Sequence, residues 1–248
     1  MRVVLADASY LKDSISIIAD LVSEARLKLT KDGIEMKAMD PANVAMVIFR
    51  LLSSSFTEYE LEGDINLGIN LQSFKQILRR ATPSDTLVLE AGKDNKLKIQ
   101  LRGTSVRTFS LPIIEMDDRE QREPSLNFTT TVTMPSSAFA DAIADADIVA
   151  ESVLLRAEPE LFSILAQGEQ SHAQIEMKPS DITRIKSSTK ADVKSKYSIE
   201  YLKKMIAAGK VADNVDINFS QDYPLRLDYK VVDRLAISFV LAPRIDND

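Results

Sequence analysis

The strongest constraint on this chain is that it repeats itself. With Phe74 set on Leu202, SFKQI at 73–77 falls on YLKKM at 201–205, and the same shift carries SYLKDSI at 9–15 onto SAFADAI at 137–143. It also carries TLVLE at 86–90 onto NVDIN at 214–218, and KLKIQL at 96–101 onto PLRLDY at 224–229. Matching segments in one register across the whole chain mean two copies of one supersecondary design.

Periodicity gives the content of each copy. In the first, Leu11, Ile15, Ile18 and Val22 keep helical spacing, and LKLTKDGIEMKAM then alternates around Asp32-Gly33, a hairpin signal. Strand-like ANVAMVIFRL and DINLGI follow. A second helix is expected over 71–81, carried by Leu71, Phe74, Ile77 and Leu78, capped by Asn70 and stopped by Thr82-Pro83. TLVLEA, KLKIQLRG and SVRTFSLPI close the copy; Leu97, Ile99 and Leu101 point one way while Lys96, Lys98, Gln100 and Arg102 point the other, as in a sheet with one buried face. The second copy repeats the order, with helices at 137–146 and 199–208 and strands at TTTVTM, 152–157, 161–167, HAQIEMK, VDINF, PLRLDYKV and LAISFVLAP. Between them IIEMDDREQREPSLN is charged, aperiodic and broken by a proline. The expected division is a domain at 1–112, a linker at 113–127 and a domain at 128–248. Both domains are α+β, with two helices on one face of an antiparallel sheet.

Composition narrows the chemistry. There is no cysteine, which excludes disulfides, thiolate nucleophiles and Cys-ligated zinc or iron–sulfur sites. His172, the one histidine, sits in polar GEQSHAQIE and reads as an exposed residue without the partners a triad base or metal ligand needs. No run approaches a membrane span, and MRVVLADASY has neither a cationic leader nor an apolar signal block, so the expected location is cytoplasmic, with no membrane partner.

With a net charge of −6, any cationic function must be local. The helix at 71–81 buries Leu71, Phe74 and Leu78 and turns Lys75 and Arg79 outward beside Gln72, Gln76 and Arg80; that at 199–208 buries Ile199, Leu202 and Ile206 and turns out Lys203 and Lys204, with Lys210 beyond. Lys12 is the matching cation on the first helix, and acids are sparse on these faces apart from Asp13 and Glu200. One lysine on a helix is ordinary solvated surface; equivalent cationic helices in both copies of an acidic chain point to a polyanion. Without base-reading forks or an aromatic stacking ladder the contact suits phosphates and carries no sequence readout, hence duplex DNA as a charged rod. Contacts of that kind have a Kd of about 10⁻⁴ to 10⁻⁶ M at physiological salt. Retention on DNA then requires closure around it.

The segments KAMDPANVAMV at 37–47, LGINLQSFKQIL at 67–78, TMPSSAFADAI at 133–143, YPLRLDYKV at 223–231 and LAPRID at 241–246 resemble the archaeal and eukaryotic DNA sliding clamp, proliferating cell nuclear antigen, in order along the whole chain. The resemblance implies a DNA clamp fold: a three-subunit ring, helices lining a central hole, sheets outside, no catalysis and no cofactor. It implies a polymerase processivity factor that is opened by an ATP-driven clamp loader, replication factor C, and that tethers DNA polymerase, flap endonuclease and DNA ligase. A homotrimer is the simplest ring, and nothing in the sequence excludes one of different subunits. By position Lys12, Lys75, Arg79, Lys203, Lys204 and Lys210 become DNA-binding candidates.

The helix at 137–146 departs from the cationic pattern with Asp141 and Asp145, followed by Asp147. DxxxDxD allows a hard-metal site, and with it the alternative of a carboxylate-dependent metal enzyme; a β-rich interaction protein without DNA is a third reading. In the resembled clamps an edge strand of the first domain, here about 105–111, pairs with one of the neighbour's second domain, here about 172–178, which would bring Arg80 and Arg107 to Asp141 and Asp145 as ion pairs. The family's partners insert a short motif with aromatic residues under the linker, against positions matching Met39, Val44, Met46, Leu126, Pro224, Ala242, Pro243, Arg244 and Ile245. Glu123 stands where relatives often have an aliphatic residue, so partner preference is expected to differ.

Overall fold

The computed structural model describes residues 1–92, 94–116 and 121–245; the expected linker therefore includes residues 117–120, which lie outside the described residues. The chain divides into two compact units, Met1–Pro41 with Val47–Glu123 and Val231–Ile237, and Ala42–Met46 with Pro124–Lys230 and Ser238–Asp248.

In the first half the order is β1 (Arg2–Leu5), α1 (Ser9–Ile18), β2 (Glu24–Thr30), β3 (Gly33–Met39), β4 (Ala45–Leu52), β5 (Glu58–Glu60), β6 (Ile65–Asn70), α2 (Leu71–Leu78), β7 (Thr86–Ala91), β8 (Lys96–Arg102) and β9 (Val106–Pro112). Local chemistry accounts for the punctuation. Gly33 has φ +144° directly after the Lys31-Asp32 turn, and a Cβ there would meet the Leu51 carbonyl oxygen at 2.2 Å, so no larger residue fits. Asn70 caps α2 by accepting from the Ser73 amide at 2.9 Å. α2 keeps α-helical form only to Leu78 and unwinds through Ala81, since Pro83 pushes the residue before it out of helical conformation.

The second half repeats every element: β10 (Thr130–Pro135), α3 (Ser136–Asp147), β11 (Ser152–Glu158), β12 (Leu161–Gln167), β13 (His172–Met177), β14 (Arg184–Ser187), β15 (Val193–Ser198), α4 (Ile199–Met205), a 3-10 turn at Ile206–Lys210, β16 (Asn214–Phe219), β17 (Leu225–Val231) and β18 (Leu235–Leu241). Strand order repeats too. The first half hydrogen-bonds as β5-β1-β7-β8-β9 and β4-β3-β2-β6, the second as β14-β10-β16-β17-β18 and β13-β12-β11-β15. Each half thus has two groups of strands where the sequence suggested one sheet. α1 packs beside α2, and α3 beside α4. Repeat-related positions share the same burial: Leu11 with Phe139, Ile15 with Ile143, Leu71 with Ile199, Phe74 with Leu202, Ile99 with Leu227 and Leu101 with Tyr229 are all core.

Four elements were not expected from the sequence. β1 (RVVL) is too short to show a period, and β5, β14 and β15 (EYE, RIKS and VKSKYS) are short or too polar to show an apolar alternation. In α4 the buried side chains are Ile199, Leu202, Met205 and then Ala208, a period of three that anticipates the 3-10 turn; Ile206, expected inside, is half-buried.

Strand edges are treated unequally. β6 ends its group, but an isolated antiparallel bridge joins Gly68 to Ile114. β15 ends the equivalent group, and the Lys196 carbonyl accepts from the Arg244 amide at 2.7 Å. β9 and β13 are also terminal, each hydrogen-bonded to one strand only, with largely exposed or half-buried side chains along their length.

Candidate nucleic-acid and partner interfaces

Each helix pair presents its cations from the side away from the core, and most are already engaged. In the first unit Lys12 Nζ donates to the Ala81 carbonyl at 2.9 Å, placing a positive charge on the C-terminal end of α2, where the helix dipole favours it. Lys75, expected outward, has a side chain only 17% exposed; its Nζ donates to Asp20 Oδ1 at 2.6 Å and to the Ser16 carbonyl at 3.0 Å. Arg79 and Arg80 are exposed at the end of α2, and the Arg79 guanidinium makes no ion pair among the described residues.

The second unit repeats the device. Lys203 Nζ donates to Asp147 Oδ2 at 2.6 Å, again joining the second helix of the pair to the C-terminal end of the first. Lys204 pairs with Glu200 one turn back at 3.2 Å and lies 5.3 Å from the centre of the Tyr201 ring. Lys210 ends the 3-10 turn, exposed and without an ion pair among the described residues. The acids that hold Lys75 and Lys203 lie at or just beyond the end of the partner helix of each pair, which inspection of one helix at a time could not reveal.

That arrangement answers the metal reading. Asp147 is bound by Lys203, Asp141 and Asp145 are exposed, and no group of three or more His, Asp or Glu among the described residues could hold a metal ion. The carboxylate-enzyme alternative finds no such cluster among the described residues.

Arg107 also departs from expectation. Its Nη2 donates to Asp85 Oδ2 at 2.5 Å and its Nη1 to the Arg80 carbonyl at 2.9 Å, so within the subunit it braces α2 against β9 rather than standing free for Asp141 and Asp145. Asp85, with a side chain 4% exposed, accepts in addition from the Thr82 amide at 2.7 Å and hydroxyl at 2.8 Å. Those two bonds, and then Arg107, hold its carboxyl well below the usual value, at about 2. His172 is exposed, at the first position of β13.

The residues aligned with a partner pocket behave variously. In the second unit Val44, Leu126, Pro224, Ala242 and Pro243 are half-buried and Arg244 and Ile245 exposed, while Ala242 N–H donates to the Val44 carbonyl at 2.9 Å. Met46 is 3% exposed and belongs to the core, so it lines no open pocket. In the first unit Met39, half-buried, lines a cleft of about 780 Å³ whose floor is β2 and β3 and whose wall includes Glu115, Met116 and Gln121 of the connecting segment.

The family model of the proliferating cell nuclear antigen N-terminal domain matches residues 1–121, and that of its C-terminal domain residues 122–244. The chain belongs to the proliferating cell nuclear antigen family of DNA polymerase sliding clamps. It is 36% identical over 246 residues to the DNA polymerase sliding clamp of Thermococcus fumicolans, covering 99% of both chains. Against that of Nanoarchaeum equitans it is 36% identical over 249 residues, covering 99% of this chain and all of the relative. A crystal structure of PCNA from Thermococcus kodakaraensis superposes with a TM-score of 0.91 at 30% identity, covering 98% of this chain and 99% of that one. Full-length coverage carries the clamp fold across both halves. No helix among the described residues is long and apolar enough to cross a membrane.

Proposed function

We propose that copies of this chain, three in the simplest case, close head-to-tail into a ring that encircles duplex DNA without sequence preference and tethers the enzymes working on it. The observation that carries this reading is the pair of edge strands β9 and β13, each with one side unpaired among the described residues. One carries exposed Val106 and half-buried Phe109, the other half-buried Ala173, Ile175 and Met177, and an open edge of that kind invites strand addition from another chain. Exposed Arg80 then meets Asp141 and Asp145 across the seam, while Arg107 stays on Asp85 and stiffens its own side.

The DNA-facing set is Lys12, Lys75, Arg79, Lys203, Lys204 and Lys210, with Arg79 and Lys210 the most available. Since intramolecular acids already partner Lys75, Lys203 and Lys204, attraction for phosphate is weak, and threading holds the ring on DNA. In this reading the units follow the division 1–112, 113–127 and 128–248, the chain is a scaffold with no catalysis of its own, and replication factor C opens the ring. Polymerase, flap endonuclease and ligase then dock through short aromatic motifs at Met39, Val44, Leu126, Pro224 and residues 242–245.

A processivity assay on primed circular and primed linear templates tests the proposal. A ring extends synthesis on circles and slides off free ends of linear DNA; equal stimulation of both, or of neither, removes it. Reversing the charge of Asp141 and Asp145 and measuring mass in solution at low and high salt tests the seam, and an unchanged trimer would sink that part.

A further inference from the structure

The start of the connecting segment is fastened at one register position of the β2–β6 pair. Arg26 and Gly68 lie directly opposite each other across those strands. The Ile114 amide donates to the Gly68 carbonyl at 2.9 Å, and Arg26 Nη2 donates to the Met116 carbonyl at 3.0 Å. Gly68 has no left-handed φ to explain it; the reason is space, for a Cβ there would lie 2.1 Å from the Ile114 oxygen and 2.9 Å from Met116 Cγ. Both are closer than atoms can approach, and the first obstacle is backbone, which cannot swing aside. Only glycine lets the segment lie flat on this edge.

Under the internal repeat Gly68 falls on Lys196, whose carbonyl accepts from Arg244 in the C-terminal tail. Both halves therefore use the same point of the same edge to hold the segment that leaves them. In the first half Arg26 and Met116 both line the cleft over β2 and β3.

We propose that Gly68 and Arg26 form a latch fixing residues 114–116 at the start of the connecting segment, and that they act through these residues as positioning residues for partner peptides. The inference rests on the reading of the segment as part of the partner site. Latched, residues 114–116 are a fixed edge of the cleft, and a peptide binding beside them does not bear the entropy of ordering them. Unlatched, each binding event includes that ordering.

The test uses the full-length chain with Gly68→Ala, Arg26→Met and Arg26→Lys, and three readouts: hydrogen exchange of the Ile114 amide, mass in solution, and fluorescence anisotropy of a labelled synthetic peptide with two adjacent phenylalanines. Gly68→Ala and Arg26→Met are expected to speed Ile114 exchange and weaken the peptide about tenfold with mass unchanged, as loss of one or two ordering hydrogen bonds implies. Arg26→Lys, which keeps a donor, is expected to recover most of that affinity. Faster exchange with undiminished affinity would make the latch structural only and overturn the positioning role. Unchanged Ile114 exchange in both Gly68→Ala and Arg26→Met would overturn the latch itself. Should the unaltered protein fail to bind the peptide, the partner-site reading falls, and the positioning role with it. Arg26→Met covers the case in which Gly68→Ala does not fold.

Discussion

Lys75 Nζ lies 2.6 Å from Asp20 Oδ1, joining α2 to the residues just beyond α1. The relationship recurs at the same distance between Lys203 and Asp147, joining α4 to the end of α3. In both halves the central lysine of the second helix is held by an acid at the end of the first. A cation fixed in this way still offers donors to a passing phosphate, but its net field is reduced. Such a surface suits contact that must be made and broken continually.

Replacing Asp147 with Asn should therefore release Lys203 and strengthen binding to linear duplex DNA. The logarithm of affinity against the logarithm of salt concentration should steepen by about 0.9 if Lys203 gains one phosphate. Because the pair is 52% and 38% exposed, stability should change by no more than about 1 kcal/mol. A salt titration of duplex binding checks both, and an unaltered slope would remove Lys203 from the DNA-facing set.

The repeat also identifies misfits. Ser14 is wholly buried in α1 with its hydroxyl unpaired, and its counterpart in α3 is Ala142. Ser14→Ala removes a desolvated hydroxyl without a partner and improves helix propensity, so it should stabilise by about 1 kcal/mol. Thermal unfolding should then move upward by roughly 2 °C for a chain of this size.

Tyr229 is the corresponding case in β17, where the first half has Leu101. Its hydroxyl is buried without a partner, and burial pushes its pKa above the ordinary value of 10.0. The folded state keeps a proton that the unfolded chain releases, so stability is complete below pH 10.0 and falls as pH rises beyond it. Tyr229→Phe should flatten that alkaline decline and leave neutral stability unchanged or slightly raised, as read from denaturant midpoints across pH.

These comparisons show what the sequence made legible. The repeat, the apolar periods of Leu71, Phe74 and Leu78, the Asn70 cap and the hairpin before Gly33 are local signals, and each leads directly to an element. Relations between elements left no such trace. Asp20 follows α1, Asp85 lies in a turn and Arg26 sits on an ordinary amphipathic strand; only packing brings them to Lys75, Arg107 and Met116. β14 and β15 escaped because edge strands rich in lysine lack the apolar alternation that marks a buried face.

Acid should weaken the Asp85–Arg107 brace at β9. Asp85 titrates at about 2, below its ordinary 3.8, so the stability it contributes is complete above pH 3.8 and is lost as pH falls toward 2. Asp85→Asn leaves Arg107 without its carboxylate and should lower stability at neutral pH while removing this part of the acid decline. Unfolding midpoints of both proteins between neutrality and acid pH should converge as pH falls; curves that stay parallel would dissociate Asp85 from acid sensitivity.

The proposed ring depends most directly on the edge strands. Ile175 is half-buried at the centre of β13, on the edge proposed to receive another chain, and it is paired with Ile164 of β12. An aspartate there adds charge to a surface that association would desolvate, and an unpaired charge at such a seam costs several kcal/mol. Because each seam of a closed ring repeats the same contact, one substitution weakens every seam at once. Ile175→Asp should thus shift mass in solution from a trimer toward the 27.6 kDa single chain and abolish retention on circular templates. Circular dichroism and hydrogen exchange in β11 and β12 should remain near those of the unaltered protein, since the strand stays paired on its inner side. A trimer that survives this change would place the subunit contact elsewhere than on β13.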